Sequence, residues 1–124
     1  MYELTVDSHF DAAHCIEGYK GKCARIHGHT WRVSVTVKAK ELGELGLSID
    51  FKDIVTALES VVQRFDHQVL NEISDFTHLN PTAENIARLL FELLSEKLNG
   101  ENVRVLSVTV GEGEMNRVTY KQDG

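Results

Sequence analysis

Polar and apolar residues alternate along residues 2–14, which is the pattern of a β-strand with one buried face. The apolar face carries Tyr2, Leu4, Val6, Phe10 and Ala12. His14 continues this face, whereas His9 falls on the polar face, because side chains in a strand alternate between its two sides. We therefore expect His14 to point inward and His9 to point outward.

The same alternation predicts three more strands. From His27 onward, one face carries Trp31, Val33, Val35 and Val37. Residues 103–112 and 116–121 form a further pair, whose connection contains the glycines typical of a hairpin. In the first member of that pair, one face carries Leu106, Val108, Val110 and Glu112. Trp31 is accordingly predicted to lie in the core.

Between the two pairs of strands, apolar residues recur at the spacing of an α-helix. Asp50 is a favourable N-cap, and the apolar residues after it predict a helix of about four turns. Its stripe consists of Phe51, Ile54, Val55, Leu58, Val61, Val62 and Phe65. A second helix is predicted to begin after Thr82 as its N-cap and to end at Asn99–Gly100. Each helix is apolar on one side only, so each is predicted to pack on a sheet.

These elements predict an α+β fold in the order β-β-α-α-β-β, with both helices on one face of an antiparallel sheet. A chain of 124 residues fits a single domain that spans 1–124. Four strands in one small sheet leave exposed edges, and this favours association with further copies of the chain.

Composition narrows the classes of function. Thirteen Lys and Arg residues against nineteen Asp and Glu residues give a net charge of −6, which does not fit a general binder of nucleic acid or of anionic membranes. The N-terminus shows no basic segment with an apolar core behind it, and no apolar run reaches transmembrane length, so we expect a cytoplasmic protein. In a reducing compartment, Cys15 and Cys23 should be free thiols, with Cys15 buried.

The candidate chemistry lies in Cys23–His29, a Cys-x-x-x-His-Gly-His run before the second strand. His27 and His29 project from one face of an extended backbone, roughly 7 Å apart along it. Imidazole suits zinc, and His14 supplies a third nitrogen from the matching face of the first strand. Three histidines leave one zinc position open, as in catalytic sites. A histidine pair alone is more often free of metal, so the prediction depends on the third histidine.

Six segments, which follow one another over nearly the whole chain, resemble those of a known family. They are Phe10–His14, Cys23–His29, Ile49–Phe51, Phe65–Asn71, Asn80–Asn85 and Val110–Glu112. Together they resemble the 6-pyruvoyl-tetrahydropterin synthase and 6-carboxytetrahydropterin synthase (QueD) family, which has the tunnelling fold, or T-fold. The resemblance implies a homotrimer whose sheets close into a barrel, commonly doubled to a homohexamer, with active sites between subunits.

For the reaction centre, the resemblance implies that His14, His27 and His29 hold Zn²⁺ and that Cys23 is the catalytic base. A thiol close to zinc and to a histidine ionises more readily than a free one and can take up a proton. The rival interpretation is a non-enzymatic zinc-binding module, in which Cys23 is a fourth ligand and leaves no position for a substrate.

The resemblance also implies that Asp66 and His67 belong to a proton relay, although on their own they would indicate a turn or a helix end. Glu112 is implied to anchor the donor edge of the pterin ring, and it is sometimes counted with the catalytic relay. Thr82 lies where the family contacts the pterin. Ala83 stands where some relatives have a hydroxyl residue, so one such contact differs here.

The implied substrate is 7,8-dihydroneopterin triphosphate, and Lys20, Lys22 and Arg25 are candidates to contact its triphosphate. The expected product is 6-carboxy-5,6,7,8-tetrahydropterin, formed with release of acetaldehyde and triphosphate on the route to the queuosine or archaeosine base. The short spacing within Cys23–His29 and the compact chain favour this product. The alternative is 6-pyruvoyl-tetrahydropterin, formed by eliminating triphosphate without cleaving the side chain.

Overall fold

The computed structural model describes residues 1–122 and consists of one five-stranded sheet and two α-helices. In chain order the elements are β1 (Tyr2–His14), β2 (His27–Ala39), α1 (Phe51–Val62), β3 (Gln68–Val69), α2 (Ala83–Leu98), β4 (Val103–Glu112) and β5 (Asn116–Lys121). Short 3-10 turns occur at Lys22–Ala24, Leu70–Glu72 and Ser74–Phe76. The sheet order is β3-β1-β2-β4-β5. The predicted α+β class and the four long strands are confirmed.

Side-chain caps set the starts of both helices. The Asp50 carboxylate accepts a hydrogen bond from the backbone N–H of Lys52 at 2.9 Å, and the Thr82 hydroxyl accepts one from the N–H of Asn85 at 3.1 Å. Each bond satisfies one of the donors that a helix leaves unpaired in its first turn. Both predicted N-caps are therefore confirmed. Helix α1 ends at Val62, three residues earlier than its apolar stripe suggested.

Both helices pack against the apolar face of the sheet. Helix α1 contacts β1, and α2 contacts β4 and β5. Trp31 at the centre of β2 is fully buried, as predicted, and donates its indole N–H to the carbonyl of Ala12 at 3.1 Å. That bond removes the cost of burying the polar atom of the tryptophan. Neither helix within the described residues is long and apolar enough to span a membrane.

Four features differ from the expectations drawn from the sequence. A bulge in the pairing of β4 with β2 leaves Leu106 without a partner, so Leu106 is only half-buried while Val103 and Val105 join the core. Phe51 and Val55, assigned to the buried stripe of α1, are 55% and 41% exposed. The two-residue strand β3 was not predicted, and it pairs in parallel with β1 in an otherwise antiparallel sheet. Cys15, which was expected to be buried, is half-buried.

Candidate metal centre and catalytic residues

Three histidines converge where β1 ends and β2 begins. His14 and His27 are direct cross-strand partners, and His29 lies opposite Ala12 on the same face. One ring nitrogen from each histidine lies within 4.8 Å of the other two. His14 is 1% exposed and His9 is exposed, which confirms the predicted inward and outward directions. The strand parity therefore collects three possible metal ligands in one partly buried pocket.

Backbone carbonyls orient two of these imidazoles. Nδ1 of His14 lies 2.7 Å from the carbonyl oxygen of Pro81, and Nδ1 of His27 lies 2.7 Å from that of Arg25. A carbonyl oxygen can only accept, so each Nδ1 carries the hydrogen and each Nε2 keeps a free lone pair. The Nε2 atoms of His14 and His29 are buried without a hydrogen-bond partner among residues 1–122. Unpartnered imidazole nitrogens that converge in this way can serve as ligands of a zinc ion.

The pKa values of two of these histidines favour the neutral imidazole. Desolvation by burial lowers the pKa of His14 below its ordinary value, against the opposing effect of the Pro81 carbonyl. Desolvation also lowers the pKa of His29, against the opposing charge of Glu112. A lowered pKa keeps an imidazole neutral, and the neutral form is the one that binds a metal.

Glu112 lies beside the histidines. It is the last residue of β4 and the cross-strand partner of Trp31, the residue two positions after His29 on β2. Its Oε2 atom lies 3.7 Å from Nε2 of His29, which is too long for a hydrogen bond. The side chain is 31% exposed, so the carboxylate borders the pocket and also faces outward. The structure thus brings together Glu112 and the three histidines, which are far apart in the sequence.

Cys23 lies in the turn Lys22–Ala24 and is half-buried with a free thiol. Its carbonyl oxygen accepts a hydrogen bond from the N–H of Ile16 at 2.8 Å, which ties the turn to the segment after β1. One ring nitrogen from each of the three histidines lies within 4.8 Å of the others. Among residues 1–122, the sulfur of Cys23 does not belong to this group. This geometry gives the pocket three possible metal ligands, which are the three histidines.

Asp66 and His67 form a pair in the turn between α1 and β3. Oδ2 of Asp66 lies 2.9 Å from Nδ1 of His67, and Oδ1 accepts from the backbone N–H of Asp11 at 2.9 Å. The N–H of His67 donates to the Asp11 carbonyl at 2.6 Å, and His67 has a φ of 59°. The backbone N–H of Asp11, followed by His67, lowers the pKa of Asp66. Asp66 is thus held as a carboxylate against the imidazole.

Within one chain, this Asp66–His67 pair is separate from the histidine pocket. Asp11 alternates with Ala12 and therefore lies on the face of β1 opposite to His14, and its carboxylate accepts from the Thr30 hydroxyl at 2.6 Å. An open groove of about 600 Å³ runs beside His67 and is also lined by Thr30 and by His29 of the histidine pocket. The two groups thus form separate clusters of ligand atoms at the same end of the sheet, and one open groove borders both.

The model of the family described as 6-pyruvoyl tetrahydropterin synthase matches residues 3–123. The chain belongs to this family. A protein of Archaeoglobus fulgidus with a provisional assignment as a 6-carboxy-5,6,7,8-tetrahydropterin synthase is 41% identical over 103 residues, which is 82% of this chain and 84% of the relative. A 6-carboxy-5,6,7,8-tetrahydropterin synthase of Bacillus subtilis is 35% identical over 97 residues, covering 73% of this chain and 64% of the relative.

Two further similar proteins are named for other reactions. The dihydroneopterin monophosphate aldolase of Pyrococcus furiosus is 35% identical over 106 residues, covering 84% of this chain and 83% of the relative. The solved structure of Caenorhabditis elegans 6-pyruvoyl tetrahydropterin synthase superposes with a TM-score of 0.86 at 25% identity and covers 98% of this chain and 96% of that one. The predicted T-fold and the predicted family are therefore confirmed, and the chain is a pterin synthase family enzyme.

Thr82, the predicted pterin contact, is half-buried. Its neighbour Pro81 and two asparagines had no predicted role, and they connect segments that are distant in the chain. The Pro81 carbonyl orients His14. Asn71 and Asn80 each bind the backbone of the segment after β1 through both ends of the side-chain amide. Both asparagines stand inside family segments, which was the one signal in the sequence that pointed to them. Asp11 also stands inside a family segment, whereas Thr30 does not, and the bond between them depends on cross-strand register.

Proposed function

We propose that this protein is a zinc-dependent 6-carboxy-5,6,7,8-tetrahydropterin synthase, a lyase in the biosynthesis of queuosine and other 7-deazaguanines. It converts 7,8-dihydroneopterin triphosphate and water to 6-carboxy-5,6,7,8-tetrahydropterin, acetaldehyde and triphosphate. The observation that carries this proposal is the convergence of three imidazoles whose buried Nε2 atoms on His14 and His29 have no partner among residues 1–122. The names of the Archaeoglobus and Bacillus relatives favour the 6-carboxy product.

His14, His27 and His29 would hold the metal through Nε2. Zinc bound there supplies Lewis-acid polarisation of hydroxyl oxygens on the substrate side chain. The Pro81 and Arg25 carbonyls keep the hydrogens of His14 and His27 on Nδ1, so both rings present a lone pair without rearrangement. Three protein ligands leave one position for a substrate oxygen.

Glu112 would bind the donor edge of the pterin. A carboxylate accepts two parallel hydrogen bonds, which matches the 2-amino group and the adjacent ring N–H. Because its carboxylate lies 3.7 Å from His29, a ring bound there would lie beside the histidine pocket. Thr82 is a second candidate contact, because its hydroxyl accepts from Asn85 and still has its own hydrogen to donate.

Cys23 would remove the proton from the substrate side chain as a thiolate, and it lies in the turn Lys22–Ala24 shortly before His27 begins β2. Asp66 would fix the tautomer of His67 and stabilise its charged form, as the acid of a catalytic triad does. Because this pair lies on the opposite face of β1 in one chain, the relay for a given pocket would come from a neighbouring copy in a homotrimer or homohexamer.

Two other reactions of the family are alternatives. The Pyrococcus relative, as similar in identity as the Bacillus one, is named as an aldolase that acts on dihydroneopterin monophosphate. The Caenorhabditis protein of the same fold is a 6-pyruvoyl tetrahydropterin synthase. All three reactions need a pterin anchor and a proton acceptor, so the same pocket serves each. They differ in which bond of the side chain breaks.

Product analysis by mass spectrometry tests the proposal. Zinc-loaded protein is incubated in parallel with 7,8-dihydroneopterin triphosphate and with the monophosphate. We expect a 6-carboxy product and acetaldehyde from the triphosphate. A 6-pyruvoyl product from the triphosphate, or an aldolase product from the monophosphate alone, would replace the proposal with the corresponding sister activity.

A Cys23→Ala variant separates an enzyme from a zinc-binding module. If Cys23 is the base, zinc content is retained and turnover is lost, because the three histidines still bind the metal. If Cys23 is a fourth ligand, zinc content falls. Cys15→Ala is the matched control, since it removes the other free thiol from a position that carries no proposed chemistry.

A further inference from the structure

The segment after β1 is paired along one edge by side chains. Strand β3 pairs with Ala12 and Ala13, and its backbone then turns away. Beyond that point, Oδ1 of Asn71 accepts from the N–H of Cys15 at 2.9 Å, and Nδ2 of Asn71 donates to the carbonyl of Cys15 at 2.9 Å. The side-chain amide of Asn71 thus makes the two bonds to Cys15 that a further residue of β3 would otherwise make.

A second asparagine continues the same edge. Oδ1 of Asn80 accepts from the N–H of Glu17 at 3.0 Å, and Nδ2 of Asn80 donates to the carbonyl of Glu17 at 3.1 Å. Cys15 and Glu17 are alternate residues of the segment after β1, and one asparagine binds the N–H and the carbonyl of each. The two asparagines therefore hold this segment along one edge.

The opposite edge of this segment holds the turn that contains Cys23. The N–H of Ile16 points away from the two asparagines and donates to the carbonyl of Cys23 at 2.8 Å. Residues 15–17 are thus held between side-chain amides on one edge and the Cys23 backbone on the other. A shift of this segment would move Cys23 with it.

We propose that Asn71 and Asn80 are positioning residues, which set the place of the Cys23 thiol relative to the three histidines by fixing residues 15–17. The inference rests on the proposed function, in which Cys23 is the catalytic base. Neither asparagine contacts Cys23 itself in the bonds described, so their effect passes through the backbone of the segment. Displacement of a reacting group by about 1 Å can lower a rate by about 100-fold, so small shifts matter.

Asn71 is the better of the two for a test. The residue after Asn80 is Pro81, whose carbonyl orients His14, and the carbonyl of Asn80 itself accepts from the side chain of Asn85 at 2.9 Å. A change at Asn80 therefore disturbs a candidate metal ligand and the start of α2 as well. A change at Asn71 leaves both of those contacts in place.

The chain contains a matched control far from the pocket. Oδ1 of Asn102 accepts from the N–H groups of Lys40 and Glu41 at 3.1 and 2.8 Å, and its Nδ2 donates to the Glu41 carbonyl at 2.9 Å. This is the same kind of clamp, but it acts after Ala39, at the opposite end of β2 from His27. Asn102→Ala therefore removes a similar set of bonds without affecting Cys23.

The experiment compares the zinc-loaded full chain with its Asn71→Ala, Asn71→Asp and Asn102→Ala variants. Aspartate keeps the size of the side chain but cannot donate to the Cys15 carbonyl, so it serves if the alanine variant fails to fold. Backbone hydrogen exchange of the peptide that covers residues 15–25 is followed by mass spectrometry. Zinc content, kcat and KM are measured on the same preparations.

We expect both Asn71 variants to exchange the 15–25 peptide at least about tenfold faster than the unmodified protein. Their kcat should fall by about 10-fold or more while KM and zinc content stay within about 3-fold, because the metal and pterin contacts remain. Asn102→Ala should speed exchange only around residues 40–47 and leave kcat unchanged.

Unchanged exchange in residues 15–25, or faster exchange with an unchanged kcat, would overturn the inference. Failure of the proposed function has a different signature. In that case the unmodified zinc-loaded protein itself fails to convert 7,8-dihydroneopterin triphosphate, and the exchange data still decide whether Asn71 fixes the segment. Where turnover belongs to a sister activity, the same kcat comparison applies to that substrate.

Discussion

The imidazole of His14 donates its Nδ1 hydrogen to the carbonyl oxygen of Pro81 at 2.7 Å, across 67 positions of the chain. This bond joins the end of β1 to the residue before the N-cap of α2. It leaves Nε2 of His14 as a lone pair directed at His27 and His29. The start of a helix thus selects the tautomer of a candidate metal ligand on a distant strand.

Replacement of His14 tests the metal centre. We expect His14→Ala to lower zinc affinity by at least about 100-fold, because loss of a ligand costs more than loss of an outer contact, which costs about 10- to 100-fold. The measurement is zinc content after dialysis against a weak chelator. His9→Ala is the matched control on the outward face of β1 and should retain zinc. Equal loss of zinc from both variants would show that the metal is held elsewhere.

Replacement of Glu112 tests the pterin anchor. A hydrogen bond to a charged group contributes about 1.5–3 kcal/mol, so Glu112→Gln should lower kcat/KM by about 10- to 100-fold. Steady-state kinetics give this value, and zinc content should not change. The control is Glu114→Gln, two positions along the chain from Glu112. It removes an exposed carboxylate that is paired with Arg32. An unchanged kcat/KM in Glu112→Gln would exclude a binding role for this carboxylate.

Mixing of inactive subunits tests the origin of the relay. In one chain, Asp66 and His67 cluster with the Asp11 carboxylate, on the face of β1 opposite to His14, so the proposed relay would reach a pocket from a neighbouring copy. We expect Cys23→Ala and His67→Ala proteins to be inactive separately. Denatured and refolded together in equal amounts, they should recover about one quarter of normal activity, because one random site in four then combines two intact groups. Absence of recovery in correctly assembled mixtures would place both groups of a site on one chain.

The pH dependence of stability follows from the buried histidines. Burial lowers the pKa of His14 and His29 below 6.5, so the unfolded chain binds protons at a higher pH than the folded one does. The free energy of unfolding of zinc-free protein should therefore be at its full value above about pH 6.5 and decrease as the pH falls below it.

Urea unfolding of the zinc-free protein at about pH 7.5 and about pH 5.5 measures this effect, at one protein concentration because assembly affects stability. A variant with His14→Gln and His29→Gln should show a smaller difference between the two pH values. If that variant retains the whole difference, the pH dependence arises from other groups.

Local pattern was sufficient for the long elements. Strand alternation placed β1 and β2 and the inward direction of His14, since neighbouring side chains on a strand must point to opposite faces. Asp50 and Thr82 marked the helix starts, because each caps a donor only two or three residues away. The three histidines of the pocket were predictable for the same reason: they share the parity of two adjacent strands.

The rest depended on contacts between distant parts of the chain. The bulge at Leu106, the bond from His14 to Pro81 and the asparagine clamps on Cys15 and Glu17 each join segments whose pairing no local pattern specifies. The backbone of Asp11 holds Asp66 on the far face of β1 across 55 positions. The face that each strand residue occupies follows from its position along the strand, because neighbouring side chains point to opposite sides. The backbone groups that hold the site residues depend instead on how distant segments pack together, and the local pattern does not specify them.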